Sequence, residues 1–334
     1  MDAQQWLEEC LIQDGRARLK TPEAIALVKS QAPEFQIAIL RVCNETLPLL
    51  RERWSEREVY QAGEQLYTIT GHLYDSKLPF EEPDLCALLR SSQHSCGHGC
   101  DVQAPLDLAI AHLTKHDASD EMLTAIADYA KRLKGIGSIQ AQTIKRKVSI
   151  LLLLDRTGKL DKRPKAAWSR CFTRGLGELP AEQRRAWQRL VLSFKLNEQS
   201  ALPKTWRKVA EKFISELGAD RVFAQLENWW PEPGSVCKLD TGGSHLLKHF
   251  VWLLEAVDDS ELKPKCHQLV CALSQLEWKP QQPAAKVLCA AAQYLTRLPR
   301  SVAWEPLQRL TTMAPSREVW LRDLVAEYDK QSKP

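Results

Sequence analysis

The sequence predicts an all-α protein, and three observations carry that prediction. Helix-start signals recur along the chain, and apolar residues repeat behind them at helical spacing. No run alternates apolar and polar residues as a half-buried strand would. Glycine is sparse, at 14 of 334 residues.

The elements follow in order. Thr21-Pro22-Glu23 places a cap residue, then proline at the first helical position, then an acid in the first turn. Ser55-Glu56-Arg57-Glu58 reads as a capping box before an amphipathic run to Ile69. From Pro203 to Leu217 one stripe carries Trp206, Val209, Ala210, Phe213, Ile214 and Leu217, and Gly218 closes it as a C-cap. Pro315-Ser316-Arg317-Glu318 opens the last helix, with Val319, Trp320, Leu324, Val325 and Tyr328 on its apolar face.

The tryptophans suggest a period. Trp168, Trp187 and Trp206 are 19 residues apart, Trp206, Trp229 and Trp252 are 23 apart, and Trp252, Trp278 and Trp304 are 26 apart. Two such steps bracket the roughly 40–47-residue helix pair of HEAT-type repeats. The expected architecture is therefore an irregular HEAT-like helical-repeat solenoid over 131–334. The alternative is an irregular bundle in which tryptophan fills gaps. Residues 1–130 lack the spacing and are expected to form a separate acidic helical subdomain, with a His/Cys-rich loop at 91–104.

Charge is segregated more sharply than the overall +4 suggests. Residues 131–212 hold 21 Lys+Arg against 6 Asp+Glu, a net +15. Residues 1–130 hold 11 against 21, a net −10, and residues 213–334 hold 14 against 15. A segment this basic has to face something anionic: nucleic acid, an acidic protein, or the acidic N-terminal part of its own chain. The opening Met1-Asp2-Ala3-Gln4-Gln5-Trp6 has no basic stretch followed by an apolar one, so no signal peptide is expected. The apolar run Ile150–Leu154 is far too short to span a bilayer. The ten cysteines are scattered, mostly within helical patterns, which reads as thiols in a reducing cytoplasm.

Pro203-Lys204-Thr205-Trp206 opens one helix, and Thr241-Gly242-Gly243-Ser244 opens another that runs through Leu246-Leu247 to Val251-Trp252. With the closing pattern from Ala290 to Leu298-Pro299, these resemble the helical-repeat region of bacterial MolR-like proteins, which often carry a WGR domain. The resemblance spans roughly 120–334. It implies a helical-repeat fold and little about activity, and no WGR-like β module is visible.

Three constellations are candidates for chemistry. His94, Cys96, His98 and Cys100 bring four soft ligands into seven residues, the set that one structural zinc would take. Cys86, His112 and His116 flank them as further ligands. Single-residue spacing strains closure on one ion, so the alternative is a His/Cys-rich surface loop. The second constellation runs from Leu133 to Ile144 and resembles the hairpin of helix-hairpin-helix DNA-binding proteins. It has Gly135 and Gly137 in apolar-x-Gly-apolar-Gly order and departs from the pattern at Lys134, where proline is common. That resemblance implies backbone N–H groups held to a phosphate, with Lys131, Arg132, Lys134, Lys145, Arg146 and Lys147 around them. Asp155 and Asp161 follow where base-excision glycosylases of that family place an aspartate. The third is Thr241-Gly242-Gly243-Ser244-His245, with Lys248 one turn on and His245 and His249 at i, i+4; it is either a capped structural helix or an anion site.

No nucleophile elbow, His-Glu zincin motif or Rossmann fingerprint occurs. The leading expectation is a cytoplasmic helical-repeat scaffold rather than an enzyme. Its basic surface, drawn from the hairpin residues with Lys162, Arg163, Lys165, Arg170, Arg174, Arg184, Arg185 and Arg189, would bind nucleic acid or an acidic partner. The alternatives are a nucleic-acid-processing enzyme of the base-excision type, with Trp229-Trp230 stacking a base, and a purely protein-binding adaptor.

Overall fold

The computed structural model describes residues 1–334 apart from 52, 54, 92–102, 133–138, 155–166, 195–201, 238, 279–284, 314–318 and 332–334, with backbone alone at 48, 51, 139–142, 146, 167 and 236. Among the described residues are seventeen α-helices and two pairs of two-residue strands, so the all-α expectation holds. No helix among them is long and apolar enough to cross a membrane. The chain divides into two compact units, Met1–Val148 and Ser149–Pro334.

The first unit starts with α1 (Ala3–Cys10), capped by Asp2, whose carboxylate accepts from the Gln5 amide at 2.8 Å. A hairpin of β1 (Ile12–Gln13) and β2 (Arg16–Ala17) follows, turning through Asp14 at φ 51° and Gly15 at φ 80°. Two successive left-handed residues are what a two-residue hairpin turn requires, and Asp-Gly supplies them. The helices α2 (Thr21–Lys29), α3 (Pro33–Arg51) and α4 (Arg57–Asp75) then pack on one another. Both start signals are displaced by one residue. Lys20 holds the α2 cap position, and Glu23 reaches back to the Lys20 amide at 3.3 Å, so Thr21 lies inside the helix. At α4 the cap position is Glu56 and makes no side-chain cap bond, so Ser55 does not form the expected capping box. Leu7, Leu11, Ile39, Leu40, Leu66 and Ile69 lie at the centre of this core. The unit continues through α5 (Glu82–Ser91), α6 (Ala104–Leu113) and α7 (Asp120–Arg132), with α5 packed on both others. It ends within α8 (Ile139–Leu151), whose final turn belongs to the second unit.

The second unit comprises α9 (Ala167–Glu178), α10 (Ala181–Leu192), α11 (Lys204–Leu217), α12 (Ala219–Trp229), β3 (Val236–Cys237), α13 (Thr241–Ala256), α14 (Lys263–Ala272), β4 (Glu277–Trp278), α15 (Ala285–Leu295), α16 (Arg300–Met313) and α17 (Val319–Gln331). The two strands pair in parallel, Val236 opposite Glu277. Gly218, at φ 88°, closes α11 as its sequence predicts. Within α11 the buried residues are Trp206, Ala210 and Phe213, while Val209 is exposed. In α17 Leu321, Val325 and Tyr328 are buried and Val319 is exposed.

The centre of this unit is α13. Every residue from Gly242 to Leu254 is buried, so the helix has no polar face and is wrapped on all sides by α9, α11, α14 and α15. Its Phe250 gathers Trp168, Phe172, Trp187 and Trp229, all with ring centroids within 6.1 Å. Trp206 and Trp252 meet beside that cluster at 5.8 Å. Trp168, Phe172 and Trp187 meet Phe250 edge-to-face, a geometry that adds to the area buried by each ring.

Candidate nucleic-acid interface and a buried lysine–histidine cluster

In the second unit the described part of the basic segment is carried by α9, α10 and α11. Each helix must bury one stripe and leaves the other to solvent. In α9 the buried stripe is Trp168, Phe172 and Leu176, and Arg170 and Arg174 fall on the exposed side, one turn apart. In α10 Ala186, Trp187, Leu190 and Val191 are buried, and Arg185 and Arg189 are exposed at the same spacing. In α11 Lys204, Lys208 and Lys212 form an exposed row at i, i+4, i+8, with Arg207 beside it. The three helices carry nine cations and four acids, the acids being Glu178, Glu182, Glu211 and Glu216. Both α9 and α11 pack on α10, so the three rows lie on adjoining helices.

Some of these cations are engaged within the fold. Arg189 pairs with Glu216, tying α10 to α11. Arg184 is half-buried and donates to the Leu179 carbonyl at 3.2 Å. Arg207 reaches Glu255 on α13 at 3.1 Å, and Arg297 binds the same carboxylate oxygen. The side chain of Glu255 is only 9% exposed, so two guanidinium groups satisfy one buried carboxylate.

The structure places the hairpin-flanking cations in the first unit. Lys131 pairs with Asp128 at 2.7 Å, and Arg132 donates to the carbonyls of Leu89 and Arg90, joining α7 to α5. Lys147 meets Asp107 of α6 at 2.7 Å, a direct contact between the basic segment and the acidic N-terminal part. Lys145 is half-buried, and Arg146 is placed in α8 by its backbone. Lys134, Gly135, Gly137, Lys162, Arg163, Lys165, Asp155 and Asp161 lie outside the described residues, as do His94, Cys96, His98 and Cys100. Among the described residues no group of three His, Cys, Asp or Glu side chains could hold a metal. Of the flanking ligands, His112 and His116 stack at 4.3 Å, with Glu82 3.8 Å from His112. Cys86 is buried, and burial raises its thiol to about 11.

The start of α13 resolves in favour of a structural helix. Asp240 is its N-cap and accepts from the Gly243 amide at 2.7 Å, so the chain's own carboxylate occupies the place an anion would take. The glycines serve close packing. A Cβ on Gly242 would stand 2.5 Å from the Ser149 carbonyl oxygen, and one on Gly243 would stand 2.4 Å from the Ser169 hydroxyl. His245 and His249 share a face as their spacing predicts, and His249 Nδ1 donates to the His245 carbonyl at 2.6 Å. That fixes His249 as the Nδ1–H tautomer with its lone pair on Nε2, which has no hydrogen-bond partner. The ring lies flat on Phe194 at 4.0 Å and edge-on to Trp206 and Trp252. Burial, and then the neighbouring Lys248 cation, hold its pKa well below the ordinary 6.5. Lys248 is itself fully buried, with its ammonium 4.3 Å from the centre of the Trp252 ring.

Sequence reasoning found this lysine and histidine pair but not its burial. The available signal was the run Phe250-Val251-Trp252-Leu253-Leu254, which leaves no polar side for the helix. Trp229 and Trp230 are 4% and 8% exposed, and Trp229 is enclosed by Phe172, Trp187 and Phe250. The pair therefore has no open face on which to stack a base, and that part of the enzyme alternative falls. No family model, no curated protein and no solved structure matches the chain, so its function has to be read from its own residues.

Proposed function

We propose that this chain is a helical-repeat binding protein that holds nucleic acid on the basic rows of α9, α10 and α11. The observation that carries the reading is the i, i+4 placement of exposed Arg170/Arg174, Arg185/Arg189 and Lys204/Lys208/Lys212 on three adjoining helices. Such rows meet a phosphate backbone in steps along each helix, and guanidinium groups match phosphate oxygens two at a time. A HEAT-like stacking of helix pairs would extend the rows into one surface. Cations repeated one turn apart along three helices meet phosphates whatever the base sequence, so the binding proposed is mainly electrostatic and weakly sequence-specific.

The test is direct. Labelled duplex DNA, single-stranded DNA and RNA are titrated with protein across a salt series. If about five phosphates are neutralised, log K falls against log salt with a slope near −4 to −5 on duplex DNA. A protein that binds none of the three at about 50 mM salt would remove nucleic acid as the ligand and leave the rows to an acidic protein.

A further inference from the structure

The first unit carries a cleft unrelated to the basic rows. It lies between α1, the β1–β2 hairpin and α3, and encloses about 800 Å³. Its floor is apolar: Leu7, Ile12 and Leu50 are all buried. On its wall Leu49 is 65% exposed, an apolar side chain that the fold leaves to solvent. The rim is acidic, with Glu8, Glu9, Asp14 and Glu45.

The cations nearby do not neutralise that rim. Arg18, the lining cation, is exposed and donates to the neutral Glu9 carbonyl and to the Gln13 side chain at 2.6 Å, which leaves one guanidinium against four carboxylates. Arg16 is paired with Glu58 at 2.5 Å, and Arg53, which also lies near Asp14, is paired with Glu56 at 2.8 Å. Glu8 and Glu9 are hydrogen-bonded by the neutral amides of Gln4 and Gln5, which hold their positions without cancelling their charge.

An apolar floor with an acidic rim fits a segment that is apolar on one face and cationic at its edges. We propose that this cleft docks a cationic amphipathic helix of a partner protein, with leucine-like side chains on Leu49 and the floor and lysine or arginine against Glu8, Asp14 and Glu45. Long cationic side chains suit this position, since their methylene stems lie over apolar surface while the charge reaches the rim.

The probe is a fluorescein-labelled synthetic peptide of about 16 residues, long enough to hold a helix, with leucine at i, i+3, i+4 and i+7 and lysine on the flanks. Fluorescence anisotropy reads its binding, beside a peptide of the same composition in scrambled order. The expected result is binding that weakens with salt and is at least about tenfold weaker for the scrambled peptide. Leu49→Asp and Glu45→Lys should each weaken it by about tenfold or more, and Glu45→Lys should also flatten the salt dependence. Both positions are on the surface, and far-ultraviolet circular dichroism of each variant establishes that it is folded. Wild-type protein that fails to bind at about 50 mM salt, variants that bind as wild type does, or equal binding of the scrambled peptide would each overturn the proposal. Self-association of the chain that Leu49→Asp abolishes would assign the cleft to a second copy and overturn it as well.

Discussion

Two glycines in α9 give opposite responses to the same substitution. A Cβ on Gly175 would stand 2.3 Å from the indole nitrogen of Trp229, whereas one on Gly177 would meet nothing within 4 Å. Removing glycine from a helix interior is worth about 0.5–1 kcal/mol at either site, because the unfolded chain loses freedom. At Gly177 that gain is all there is, so Gly177→Ala should stabilise by about that amount. At Gly175 the methyl group needs the indole to move. Trp229 is held against Phe172 at 4.8 Å, Trp187 at 4.9 Å and Phe250 at 6.1 Å, and its carbonyl accepts from the Trp168 indole at 2.5 Å. Overpacking such a site costs about 1–3 kcal/mol or more, which exceeds the propensity gain. Gly175→Ala should therefore unfold more readily than wild type, and because the propensity gain is common to both, the two variants should differ by the overpacking cost, about 1–3 kcal/mol. Urea unfolding followed by tryptophan fluorescence and by circular dichroism measures both variants under one condition. A Gly175→Ala protein as stable as Gly177→Ala would refute the close approach of α12 to α9.

Three further outcomes follow from the same packing. His249 is kept neutral by burial, so the unfolded chain takes up a proton near pH 6.5 that the folded chain refuses. Stability should then fall as pH drops below about 6.5, by up to about 1.4 kcal/mol per pH unit for this residue, and His249→Phe should flatten the slope in urea unfolding between about pH 6.5 and 5. Glu255→Ala strands two guanidinium groups that are each partly exposed, so after screening the loss should be about 1–2 kcal/mol, with Glu255→Gln losing less; equal stability of all three proteins would refute the bridge. Cys171 is the exposed thiol among the described residues, beside Arg170, while Cys43, Cys237 and Cys266 are buried with thiols raised to about 12. Mass spectrometry after brief alkylation should find Cys171 modified ahead of those three, and bound DNA should slow its modification.

Much of the helical layout was legible because its signals are local. Gly218 ends α11 through a left-handed backbone that glycine adopts at no steric cost, and a single residue announces it. The Asp14-Gly15 hairpin was equally local and was passed over, since the strands beside it are two residues long and show no alternation. The cap positions of α2 and α4 slipped because Thr21 and Ser55 compete with neighbouring Lys20 and Glu56, and tertiary packing decides between them. What stayed hidden depends on distant parts of the chain. Lys248 reads as a solvent-facing charge until α9, α11, α14 and α15 close around α13. The parallel pairing of Val236 with Glu277 joins residues 41 apart through a contact too short to leave a pattern. The candidate interface was readable as charge and only partly as geometry. Composition marks the whole segment as basic, but burial sorts Arg170, Arg174 and Arg185 to the surface and engages Arg132 and Arg184 with backbone carbonyls.

The central claim is that the exposed rows of α9 and α10 take up phosphates, and charge reversal on those rows tests it most directly. Arg170→Glu, Arg174→Glu and Arg185→Glu are combined in one protein, and its duplex-DNA affinity is measured across the salt series beside wild type. All three side chains are exposed, so the fold should survive. Three lost phosphate contacts should make the slope of log K against log salt shallower by about 2.7 and weaken binding to every sequence alike. A reversed protein that keeps the wild-type slope and affinity would contradict the assignment of these helices as the interface.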